Sequence, residues 1–132
     1  MPNTSLNDEL RKHTLKQGVD LFGVAELTSA REFIRAQGGD LIAQFPRGVS
    51  IGVRLLDDVV DLLRFHDEPS AVHTYQYEAH QVVNPLLDRA AFEVSRLLCK
   101  EGFSAYPVPA RQTVNRERLA GAISHKLVAH LA

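Results

Sequence analysis

One cysteine, Cys99, stands in 132 residues, and there is no tryptophan. A lone thiol excludes an intrachain disulfide and fits a reducing compartment, so a cytoplasmic location is expected. It also excludes a self-contained iron–sulfur cluster, which takes about four thiolates, and a Cys-rich zinc site. No run nears the ~18 apolar residues of a membrane helix. Met1-Pro2-Asn3-Thr4-Ser5 has neither the basic nor the apolar region of a secretory signal. An excess of charge of one sign is lacking too. Fifteen Lys and Arg against sixteen Asp and Glu leave −1, which gives no reason to expect nonspecific binding to nucleic acid or a membrane. Neither GxGxxG nor a Walker pattern occurs, and Gly38-Gly39 does not make a phosphate loop.

What is present suits a globular chain. Apolar residues make up 45%, enough for residues 1–132 to form a single domain that buries roughly two-thirds of its unfolded surface. Ser5-Leu6-Asn7-Asp8 reads as an N-cap with an acid in the first turn, opening a helix that ends near Gly18. Val19–Ala25 is a short apolar run and reads as a buried strand. Ser29-Ala30-Arg31-Glu32 is a capping box for a helix ending at Gln37-Gly38-Gly39. After Pro46-Arg47-Gly48, Val49–Leu55 alternates with period two, and Asp57 then caps a short helix with Val59, Val60, Leu62 and Leu63.

Beyond the loop His66–Ser70, a long helical stretch runs from about Ala71 to Lys100, interrupted by Pro85. Asn84-Pro85 reads either as an N-cap with proline at the first helical position or as a kink in one helix. Phe103–Val108 is expected to be a third strand, at an edge because of Pro107 and Pro109. The spacing of Leu119, Ile123, Leu127 and Leu131 predicts a terminal amphipathic helix. The fold class expected is α/β, with α+β as its variant: a sheet of three or four strands covered by helices. The terminal stripe has no stop signal after it. It is expected to lie against protein beyond residue 132, or against a second copy of the chain.

Candidate chemistry is sparse. His73 and His80 share a helical face but lie ~10.5 Å apart along the axis, and His125 and His130 diverge, so neither pair suits one metal ion. His73, Tyr77 and His80 line one face, with Tyr75 nearby. Such groups either move protons or hydrogen-bond a cofactor edge, or they are the wet side of an amphipathic helix. Arg111-Gln112-Thr113-Val114-Asn115-Arg116-Glu117-Arg118 follows the third predicted strand. Backbone amides at the start of the next helix, with arginine, could hold an anion there; otherwise the segment is a solvated connector. Cys99, beside Leu97 and Leu98, reads as a buried structural thiol.

The C-terminal segment Ala122-Ile123-Ser124-His125-Lys126-Leu127-Val128-Ala129-His130-Leu131-Ala132 resembles the lead-in to a glycine–leucine–glycine–tryptophan motif. That motif belongs to epoxyqueuosine reductase-like iron–sulfur proteins, relatives of reductive dehalogenases. The helix bearing Tyr77, His80, Asn84, Leu86, Leu87, Phe92 and Leu98 is similar to the one before that motif. Phe103–Ala110 resembles the strand linking the two, and Gly18–Ala25 the first strand. The resemblance implies the N-terminal part of a cobalamin- and iron–sulfur-dependent reductase, inactive without its C-terminal cluster-binding module. It implies cobalamin and two clusters for the whole protein and no cofactor in this part. No catalytic residue is identified. Tyr77, His80, Arg111, Gln112 and His125 are the candidate cofactor-binding residues. The family's acidic residue after the third strand is missing here, where Pro109, Ala110, Arg111 and Gln112 stand, which weakens the case for tRNA-base reduction. The alternative is a non-catalytic binding or assembly module that self-associates through the His125-containing terminal helix; a weaker one is a flavin-dependent domain.

Overall fold

The computed structural model describes residues 5–111 and 123–132. Gln112, the connector through Arg118 and the first residues of the predicted terminal helix, Leu119 to Ala122, lie outside them. Helix α1, Leu6–Leu15, starts at Ser5, whose Oγ accepts from the Asp8 N–H at 3.2 Å. Leu10 and Thr14, four apart, form its buried side. The Thr14 hydroxyl spends its proton on the Leu10 carbonyl at 2.6 Å, so burying it leaves no donor unpaired. Gly18, at φ 94°, takes the left-handed backbone that ends the turn.

Strands β1, Leu21–Glu26, and β2, Arg47–Gly52, pair antiparallel, with Leu21 opposite Gly52 and Glu26 opposite Arg47. Between them run α2, Arg31–Gly38, and the short α3, Asp40–Ala43. Arg35 joins the two helices, donating to Asp40 at 2.8 Å and to Glu32. Glu32 therefore does not close a capping box. Ser29 sits inside a 3₁₀ turn, Thr28–Ala30, and Ala30 holds the cap position without a side-chain bond. Asp57 likewise is not a cap. Leu56 occupies that position before α4, Asp57–Asp61, and the Asp57 carboxylate is taken by Arg54 at 3.0 and 3.1 Å.

The long helix is continuous. Helix α5, Pro69–Gln76, passes into a π-helical stretch, Tyr77–Val83, and on into α6, Asn84–Lys100. Asn84 has helical backbone angles, and its N–H reaches the Ala79 carbonyl five residues back. An α-helical Pro85 would collide with the carbonyl four residues earlier; the wider turn relieves that contact. Proline thus deforms one helix rather than starting a second.

Glu78, in the wide turn, accepts the Leu56 N–H through Oε1 at 2.8 Å, while its buried Oε2 has no partner among the described residues. This bond ties the helix to the start of α4. Glu78→Ala is expected to lower the unfolding free energy by about 1 kcal/mol, read from urea denaturation.

The expected third strand does not form. Residues 103–110 carry no regular secondary structure and join no ladder, and among the described residues the sheet has two strands. Pro107 and Pro109 have no N–H to offer one. The antiparallel pairing makes the class α+β.

The terminal helix, α7, is His125–Leu131, shorter than the leucine spacing predicts, because Ile123 precedes it and Ser124 caps it through the Leu127 N–H at 3.2 Å. Its aliphatic side rests on the chain's own sheet. Val128 belongs to the buried cluster with Ala25, Leu27, Ile34, Ile42 and Ala43, and Ile123, Leu127 and Leu131 pack against it. The register puts Gly23, Ala25, Gly48 and Ser50 on one face. That floor of small side chains lets α7 come close. A Cβ on Gly48 would stand 3.0 Å from Val128 Cγ1, and one on Gly23 3.0 Å from Ala132 Cβ.

Candidate functional site

A cleft of about 420 Å³ opens beside β2. Five consecutive β2 residues, Arg47 to Ile51, line it, and no β1 residue does among those described. A cavity on one face of the sheet would meet alternate residues of both strands. This one therefore lies at the edge of β2 turned away from β1. Leu87, Ala91, Val94 and Leu98 of α6 form one wall. Val128 and Ala129 of α7, with Ile123, form another. The segment Ser104–Val108, which has no regular secondary structure, also lines the cleft.

The hydrogen-bonding phase of β2 follows from one contact. Leu27 N–H donates to Pro46 carbonyl at 2.8 Å, which makes that pair a hydrogen-bonded one. Bonded pairs alternate along an antiparallel ladder, so Gly48, Ser50 and Gly52 turn their backbone groups to β1. Arg47, Val49 and Ile51 turn theirs outward, toward the cleft. No backbone hydrogen bond joins them to Ser104–Val108 among the described residues. The outward backbone groups of Arg47, Val49 and Ile51 therefore face the cleft with no backbone partner among the described residues.

One end of the cleft is polar. Ala110, Ile123, His125 and Lys126 line both the cleft and an open groove that also touches Gln37, Arg111 and Ser124. His125 donates from Nε2 to the Pro109 carbonyl at 3.0 Å, fastening α7 to the segment that follows α6. Asp88 holds that segment too, accepting the Ala110 N–H at 2.8 Å. No Asp or Glu lines the cleft or the groove among the described residues. Arg47 is already engaged, with Glu26 at 2.8 Å on the neighbouring strand.

Of the five residues singled out by sequence, two meet here: His125 at the junction and Arg111 in the groove. Tyr77 and His80 lie elsewhere. Both are exposed on the π-helical stretch, and His80 has a long contact, 3.5 Å, from the Asn84 amide. The helical face drawn through His73, Tyr77 and His80 is solvated on the first two and the last, with Tyr75 half-buried. Cys99 is exposed, against the expectation of a buried thiol. Ala90 and Val94 mark the inward side of α6, and Cys99 lies about 140° around the helix from Val94. Sequence reasoning passed over Lys126 and the outer edge of β2; the proline pair at 107 and 109 was the one sign that pairing stops there.

Comparison with protein-family models, curated proteins and solved structures finds no match for this chain. The groups implied by the resemblance do not fit the residues described. A cleft of about 420 Å³ is the size of a drug-like ligand's pocket and too small for a corrinoid. A cluster needs about four thiolates, and Cys99 is the one cysteine of the chain.

Proposed function

We propose that this chain is a non-catalytic binding module and that it binds in the cleft between β2, α6 and α7. The observation that carries this reading is the outer edge of β2, with Val49 and Ile51 facing a mostly aliphatic space rather than another strand. Exposed strand edges bind extended partners, and concave apolar sites with a few polar groups at one end are where small proteins hold ligands.

The test uses a neutral solvatochromic dye with the whole chain. Its fluorescence is expected to rise saturably. Ala129→Trp fills the cleft from α7, at an exposed position, and should remove the rise while leaving the melting temperature in place. If that variant misfolds, Ser104→Trp plugs the cleft from the other side. Equal signals from the plugged and native chains would place the dye elsewhere and end this reading.

A second reading keeps the reductase-like parent, with this chain as its N-terminal part. It is supported by where the resemblance falls: Phe103–Ala110 and Ile123–Ala132 contribute two of the sides of the cleft. In that case corrinoid and clusters are held by the rest of the polypeptide and the cleft receives part of it. The reading frame beyond Ala132 decides this. A glycine–tryptophan segment followed by two cysteine-rich cluster motifs is expected, and their absence would remove the parent.

A further inference from the structure

We propose that the cleft takes an extended peptide that pairs with β2 as an added strand and ends in a carboxylate held by Arg111 and Lys126. This rests on the binding reading above and names its ligand.

The backbone argues for a peptide over a lipid-like chain. Arg47, Val49 and Ile51 present N–H and C=O groups to the cleft, and an alkyl chain lying there would leave them unpaired against apolar walls. A guest strand satisfies them. Ser104–Val108 lines the same cleft and makes no backbone hydrogen bond to β2 among the described residues, so it does not occupy the edge a guest strand would use.

The position of the helices agrees with this. Helix α7 covers the face of the sheet that carries Gly23 and Gly48, and both α6 and α7 line the cleft. Alternate side chains of a guest strand point to opposite faces, and apolar groups of both helices, Leu87 and Val94 of α6 and Val128 and Ala129 of α7, are there to receive them. The three outward-facing β2 residues span five positions, so they register a guest of about five residues.

Charge sets the end group. Arg111 and Lys126 have no carboxylate partner among the described residues. Asp88, which touches the same segment, has one oxygen committed to a backbone N–H. Two cations at one end of an apolar slot, with no acid lining it, are complementary to a carboxylate.

The experiment is calorimetric titration of the whole chain with mixed five-residue peptides randomised among Val, Ile, Leu and Thr, each with a free C-terminal carboxylate. Saturable binding is expected, with the Val49 and Ile51 amides becoming protected from hydrogen exchange. Amidating the peptides should weaken binding about tenfold. Lys126→Gln and Arg111→Gln should each weaken the free acids roughly three- to tenfold and leave the amidated set unchanged. N-methylating alternate peptide amides in either phase should weaken binding at least about tenfold.

Equal binding of the N-methylated set overturns strand addition. Equal binding of the amidated set overturns the carboxylate. Decanoate binding with the same Lys126 dependence, where peptides fail, overturns the peptide in favour of a fatty acid. If peptides fail while the neutral dye still binds in the cleft, this proposal falls and the binding module stands. If neither binds, both fall.

Discussion

Replacing Ile34 by alanine should lower the unfolding free energy by about 3 kcal/mol. Ile34 is 2% exposed and sits among Ala25, Leu27, Ile42, Ala43 and Val128. Two of those five neighbours are already alanine, and the other three are themselves held in the buried cluster, so the space closes only in part. The removed side chain forfeits its transfer energy and leaves a cavity. For a chain of this length the melting temperature should fall by about 12 °C, measured by circular dichroism with urea denaturation in parallel. Phe33→Ala, one residue away and 63% exposed, should change it by about 0.5 kcal/mol or less. Similar losses at both positions would mean that this cluster is not the core.

Gly48→Val should cost about 1–3 kcal/mol and loosen α7 from the sheet. Valine is favoured in strands, so propensity alone would stabilise the variant. The loss must come from collision, because the first added carbon already meets Val128 at 3.0 Å and Leu27 at 3.3 Å. Both neighbours are buried and cannot swing away. Gly52→Val is the contrast. It shares the strand and the face, but its added carbon would meet the Leu21 side chain, which is 67% exposed and free to move. Amide exchange in α7 should rise for Gly48→Val and stay unchanged for Gly52→Val. Equal behaviour of the two would show that α7 does not depend on close approach at Gly48.

Local signals explain most of the elements that were legible. Ser5 and Gly18 bracket α1 because an N-cap hydroxyl and a positive-φ glycine act within a few residues. Two further caps were misread because side chains had other partners: Glu32 is drawn to Arg35, and Asp57 to Arg54. Period two found β2 but not its pairing direction, which depends on how α2 and α3 return the chain. The third strand failed for a tertiary reason. Phe103–Val108 takes no regular secondary structure, and Ser104–Val108 lines the same cleft as the β2 edge without a backbone hydrogen bond to it among the described residues. The site was legible only where charge marks it, at Arg111 and His125. Val49 and Ile51 contribute main-chain atoms, and nothing in the identity of their side chains announces an unpaired edge. The leucine spacing at the end of the chain signalled a surface to be covered, and the surface it meets is the sheet itself.

The wide turn at Tyr77–Val83 sets an angle as well as accommodating a proline. More residues are spent per turn there than in the α-helical pieces on either side. The piece before it faces the short turns that follow Leu56, and the piece after it faces α1 and β2. The rod is unbroken, but it is keyed like a shaft with two cams, and the residue count between Tyr77 and Val83 fixes their relative azimuth. The wall of the cleft formed by Leu87 and Val94 is thereby aimed by a stretch of helix that does not line it.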